Sequence, residues 1–155
     1  MPTLPQTGRC QCGEIEYTIT AAPLLSYNCH CTNCQRISGS PFATTMAVAE
    51  TGFKITKGTP KRHEWPSDVG SQRYGNFCGD CGTRIAHGVD PSVGVLSVRT
   101  GTLDDTSWVH PVGDTWTSSA QVWIKFTGER LEYDRQPEDY SALAQAYAAL
   151  NLFSA

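Results

Sequence analysis

The sequence has no stretch approaching the ~18 consecutive apolar residues of a membrane-spanning helix, which argues against a helical membrane protein. Its opening, Met-Pro-Thr-Leu-Pro-Gln, lacks the basic and apolar segments of a secretory signal. Basic runs are missing too. Twelve Lys and Arg are scattered against fifteen Asp and Glu, for a net charge of −3, whereas a nucleic-acid partner requires a clustered basic face. Apolar residues are scarce at 39%, below the ~45–50% usual for a globular domain. There is no internal repeat, low-complexity tract or linker, so the chain, 1–155, reads as a single domain. Together these absences describe a cytoplasmic domain whose small core needs staples.

What the sequence has is turns and short alternating segments. There are fourteen Gly and nine Pro. Ile15, Tyr17 and Ile19 alternate with polar residues, as do Phe42, Thr44, Met46 and Val48. Further short strands are expected over 53–56, 62–65, 73–77, 84–88, 93–99 and 122–126. Strands this short, separated by turns, imply an antiparallel, mainly β fold rather than βαβ units. The C-terminus departs from this. Tyr140, Leu143, Ala144, Tyr147 and Leu150 share one helical face, and a short C-terminal helix is expected over about 137–150. Pro137 suits its first turn, where Glu138 and Asp139 complement the dipole. This helix is expected to pack on the sheet.

Cysteine is the exception to the general scarcity. The chain has seven, in three groups: Cys10-x-Cys12-Gly13, Cys29-His30-Cys31-x-x-Cys34 and Cys78-x-x-Cys81-Gly82. In a reducing compartment such clusters indicate metal or catalysis before disulfides. Zinc with Zn–S bonds of ~2.3 Å needs sulfurs ~3.8 Å apart, which C-x-x-C turns supply. Seven exceeds by three the four ligands of a closed zinc site, so a four-plus-three partition follows, with two zinc ions per chain. Cys29, Cys31 and Cys34 are close enough to hold one ion, leaving Cys10, Cys12, Cys78 and Cys81 for the other. A competing partition joins Cys31 and Cys34 to Cys78 and Cys81 as a zinc ribbon, although the intervening stretch is longer than the ~15–20 residues usual there. Neighbours in an extended C-H-C segment point apart, so His30 is read as a supporting residue, not a ligand. His63, His87 and His110 are read as ordinary surface or core residues.

The run Gly8-Arg9-Cys10-Gln11-Cys12-Gly13-Glu14-Ile15-Glu16-Tyr17 resembles the opening motif of the glutathione-dependent formaldehyde-activating enzyme family, which includes the centromere protein V domain. The runs from Cys29 to Phe42 and from Phe77 to Thr83 resemble its second and third motifs, and the likeness spans most of 8–126. The resemblance implies an open antiparallel β-tent fold stapled by zinc. It implies a structural zinc on Cys10, Cys12, Cys78 and Cys81, and an activity-linked zinc on Cys29, Cys31 and Cys34. It also implies a carbon–sulfur lyase that joins glutathione and formaldehyde into S-hydroxymethylglutathione. Family members often carry a His where this chain has Asp114, ahead of Thr115-Trp116, so this member's substrate is left open.

Three thiolates around one zinc are poorly suited to making hydroxide and better suited to keeping a further thiolate nucleophilic. His30, Ser38 and Ser40 are candidate proton donors to the developing alkoxide. Glutathione carries two carboxylates, which Arg recognises bidentately. Arg36, close behind the second cluster, is the first candidate, and Arg73 and Arg84 are read as solvated strand residues. Trp65, Trp108, Trp116 and Trp123 are candidates for a cleft wall or for core. Rival readings are a non-catalytic zinc module that binds a protein, and a thiolate–zinc redox or metal sensor.

Overall fold

The computed structural model describes residues 2–67 and 70–153. In chain order its elements are β1 (Gln6–Arg9), β2 (Glu16–Ile19), β3 (Leu25–Cys29), α1 (Thr32–Ser38), β4 (Ala43–Ala49) and β5 (Phe53–Lys57). They continue with β6 (Lys61–Pro66), β7 (Gln72–Phe77), β8 (Arg84–Asp90), β9 (Val95–Arg99), β10 (Gly113–Thr115), β11 (Leu131–Tyr133) and α2 (Ser141–Ala148). The fold is mainly β with two open sheets, ordered β1-β2-β5 and β11-β10-β3-β4-β9-β8-β7-β6.

The small sheet lies on one face of the large one. Ile15, Tyr17 and Ile19 meet Met46, Val48, Ile85, Ala86, Leu96 and Val98 in the principal core. Tyr17 and Ile19, Met46 and Val48, and Leu96 and Val98 are alternate positions of their strands, so the period of two buries one row and leaves the other for the opposite face. Ile85 and Ala86, by contrast, are consecutive, at the bulge between β7 and β8. On that opposite face α2 buries Leu143 and Tyr147 against Leu25 and Ala47, with Tyr140, Ala144 and Leu150 around them. The shared helical face read from the sequence is therefore the packing face.

Three expectations need correction. The pairing is antiparallel from β3 through β6 and within the small sheet, but β10 runs parallel to both β3 and β11. A long excursion separates β3 from β10, which is what a parallel neighbour requires. The helix begins at Ser141, not Pro137. The Asp139 carboxylate accepts the Ser141 N–H at 2.6 Å and its hydroxyl at 2.8 Å, so it stands before the helix and does not lie in its first turn. No strand forms over 122–126. β11 already occupies the free edge of β10, which leaves Val122 and Trp123 exposed, while Phe126 packs edge-on against His30.

Candidate metal centres

The first centre grows out of two matching turns. In one, Cys10 N–H donates to Ile15 O and Gly13 N–H to Cys10 O, both at 3.0 Å. In the other, Cys78 N–H donates to Thr83 O at 2.9 Å and Gly82 N–H to Cys78 O at 3.0 Å. Gly13 and Gly82 both have φ of 76°, a left-handed turn that glycine adopts without strain. Each turn folds its two sulfurs back to one point. Cys10, Cys12, Cys78 and Cys81 offer sulfurs all within 4.8 Å of one another. Cys10 Sγ lies 3.5 Å from Cys12 Sγ, which lies 3.7 Å from Cys78 Sγ. These separations match the edges of a sulfur tetrahedron around zinc, and all seven cysteines are free thiols. Ile15 N–H donates to Cys10 Sγ at 3.2 Å. Hydrogen bonds from Thr83, side chain and backbone, and from the Cys12 backbone pull the Cys81 thiol down to about 5. Since one turn follows β1 and the other follows β7, the centre ties the small sheet to the large one.

The second centre sits on the opposite face of the large sheet. Cys29 ends β3. Cys31 caps α1, its sulfur accepting the Cys34 N–H at 3.3 Å, and Cys34 lies in the first turn. Gly39 closes α1 in the left-handed conformation at φ 60°. The three sulfurs lie within 4.8 Å of one another, and Ala43, Tyr27 and Trp116 pack around them. Trp116 has φ of 59°, strained for so bulky a residue, and in that conformation it turns back onto the cysteines. The donor set fits a soft cation with one position not filled by cysteine. The ribbon pairing of Cys31 and Cys34 with Cys78 and Cys81 is not formed.

A residue that sequence reasoning passed over completes this centre. Arg99, 8% exposed, points Nη1 and Nη2 at Cys34 Sγ from 3.8 and 3.7 Å, and Nη1 also donates to Thr45 Oγ1 at 2.9 Å. The register pairing Thr45 with Arg99 places both on the sulfur face. The neighbouring Cys29 and Cys31 thiols and the Arg99 charge hold the Cys34 thiol far below its ordinary value, against the effect of burial. The Cys31 and Cys34 thiols, with burial, raise Cys29.

His30 is fully buried on the reverse of the sheet, as the alternation of Cys29, His30 and Cys31 requires. Its Nε2 lies 2.9 Å from Asp114 Oδ1, which also accepts Asn28 Nδ2–H at 3.1 Å, while Arg130 Nε–H donates to Asp114 Oδ2 at 2.6 Å. Asp114 therefore anchors β10 and β3 behind the second centre, not at its sulfurs. Ser38 Oγ–H donates to Cys34 O at 2.8 Å, back into its own helix. Arg36 is exposed and lines an open depression with Gln35, Gly39, Ser40, Pro41 and Gln121. Trp108 is core, donating its indole N–H to Gln6 at 3.0 Å, and Trp123 is exposed. Trp65 stands over Arg84 on the sulfur face.

A family model described as "glutathione-dependent formaldehyde-activating enzyme" matches residues 5–119. Three solved chains match. One of them, a Rhodobacter sphaeroides protein, is 18% identical with a TM-score of 0.51, over 68% of this chain and 91% of that one, a likeness of fold. No curated protein matches the chain at a significant level.

Proposed function

The chain belongs to the glutathione-dependent formaldehyde-activating enzyme family, and from that premise we propose that it adds a thiol such as glutathione to formaldehyde at Cys29, Cys31 and Cys34. The reaction is that of a carbon–sulfur lyase run in the direction of synthesis. The observation that carries this reading is the contrast in donor count: one cluster has the four sulfurs of a closed site, the other only three. A structural module needs only the first.

Zinc held by Cys29, Cys31 and Cys34 would supply an electron-rich centre at which a further thiol stays deprotonated. The chain's own residues shape what surrounds it. Arg99 fixes positive charge beside Cys34 Sγ and offsets the negative charge of the thiolates. Tyr27 and Trp116 wall the cluster and keep water from that side. As the carbon–sulfur bond forms, the carbonyl electron pair moves onto oxygen, and the thiol proton ends on the new hydroxyl, so atoms and charge balance. With Ser38 tied to its helix and His30 on the reverse face, neither relays that proton, and it passes from the thiol to the new alkoxide through solvent water. Among the described residues no helix is long and apolar enough to cross a membrane, and seven free thiols suit the reducing cytoplasm.

The test is carbon-13 NMR of labelled formaldehyde with glutathione, following exchange between the free aldehyde and the hydroxymethyl adduct. The zinc-loaded protein is expected to speed exchange well above the spontaneous rate, and Cys31→Ser to abolish the gain. An uncatalysed rate with wild type, or full rate with Cys31→Ser, removes the proposal.

A further inference from the structure

Beside the three-cysteine centre the large sheet carries a cluster of cations with few partners. The registers pair Gly75 with His87, Arg73 with Val89, His87 with Ser97 and Arg99 with Thr45. Arg73, His87 and Arg99 therefore share the sulfur face. Arg84 joins them by lying flat across Gly75, where a Cβ would stand 1.7 Å from its Nη1. Its guanidinium faces the Trp65 ring at 5.6 Å. Glu64 pairs with Tyr74 and Asp90 with Gln72, so the carboxylates of β6 and β8 point away.

The result is a concentration of buried polar nitrogens without hydrogen-bond partners among the described residues. Arg84 Nε and Nη1, Arg99 Nε and His87 Nδ1 are buried, and each lacks a hydrogen-bond partner among the described residues. None of Arg73, Arg84 and Arg99 forms an ion pair there. Burial lowers Arg84 below its ordinary value, and the Arg99 charge adds to this. Burial also brings His87 down to about 3, with the three arginines pushing the same way. Buried polar groups are ordinarily satisfied, and leaving a charged one unpaired is costly. The Cys34 sulfur answers the terminal nitrogens of Arg99. The Arg84 donors and the His87 ring nitrogen have no such answer among the described residues.

We infer that Arg84, His87 and Arg99 form a carboxylate subsite, which seats a carboxylate of the thiol substrate while its sulfur lies at Cys29, Cys31 and Cys34. The inference rests on the proposed reaction and narrows its substrate to thiols that bear a carboxylate within peptide reach of the sulfur. A planar carboxylate matches the fork of a guanidinium. Gly75 lets that fork lie flat against the strand, and Trp65 covers it. Arg36, solvated on the outer side of α1, is the competing anchor.

Calorimetric titration with S-methylglutathione tests this, because the capped sulfur keeps both carboxylates but offers no thiol. Wild type is expected to bind it, and Arg84→Gln to bind about tenfold or more weakly, the order expected for losing charge-assisted hydrogen bonds. Arg84→Lys is expected to recover part of the loss. Gly75→Ala, which keeps every charge but displaces Arg84, should weaken binding as well. Unfolding midpoints and zinc content of each variant separate lost binding from lost fold. No binding by wild type, or equal binding by a folded Arg84→Gln, overturns the inference, as does loss confined to Arg36→Ala. Turnover read alongside keeps the two readings apart. Binding that depends on Arg84 without any thiol–formaldehyde turnover removes the reaction and leaves the subsite. Turnover whose KM is indifferent to Arg84 removes the subsite and leaves the reaction.

Discussion

The two cysteine clusters use the same chemistry for opposite ends. In the four-sulfur cluster every ligand comes from a glycine-closed turn, and the two turns belong to different sheets, so binding metal there joins parts of the molecule distant in sequence. In the three-sulfur cluster all ligands come from one short segment, the end of β3 and the start of α1, so binding metal there joins little. Its surroundings are built instead of side chains from elsewhere: Arg99 from β9, Thr45 from β4, and Trp116 held in a strained backbone. A closed centre spends its sulfurs on connectivity, whereas a three-sulfur centre leaves a coordination position and a charged wall for a ligand.

Cys10→Ser is expected to have the largest effect. A structural zinc is worth ~10–16 kcal/mol in isolated zinc-finger peptides, and losing even half of that exceeds much of a domain's stability. Loss of cooperative unfolding in circular dichroism, or a fall in midpoint of more than about 10 °C, is expected. A midpoint unchanged from wild type would dissolve the distinction between the clusters.

Asp114→Ala probes the support behind the three-sulfur cluster. It strands His30, Asn28 and Arg130, and breaking such a buried pair costs about 3 kcal/mol. Denaturant unfolding should show that loss while the protein keeps both metals, because Asp114 lies on the reverse of the sheet. Burial raises the Asp114 carboxyl, but hydrogen bonds from His30, Arg130 and Asn28 outweigh it and leave it below 3.8. The contribution is therefore complete above that pH and is lost as pH falls through the folded-state value. A variant that loses the second metal would place Asp114 in the site itself.

The smallest effect is expected from Thr83→Val, which removes the hydroxyl 3.2 Å from Cys81 Sγ. Competition with a chelator should show roughly tenfold weaker zinc retention at the closed centre, as for other groups that support metal ligands, with the three-sulfur centre unaffected.

Much of this comparison was legible in the sequence, because sulfur spacing and the trailing glycines encode the turns directly. The alternating rows of β2 and β4 and the face of α2 were legible for the same reason, since periodicity is local. Arg99 was not. It ends an ordinary strand, and only the β4–β9 register brings it to Cys34, 65 residues away in sequence. Arg84 was hidden because a β-bulge beside Phe77 and the bare backbone of Gly75 decide where its guanidinium lies. The helix α1 was missed for its brevity, although a cysteine can cap a helix and Gly39 marks its end. The 122–126 segment alternates as a strand should, but it pairs with no strand, and the outer edge of β10 is held by β11 instead.

The most direct test of the two-centre account is zinc per chain, by elemental analysis, with the unfolding midpoint, for wild type and Cys31→Ser. The account expects two zinc ions falling to one, with the midpoint nearly unchanged. One zinc in wild type that persists in the variant, or a variant that unfolds, would contradict it.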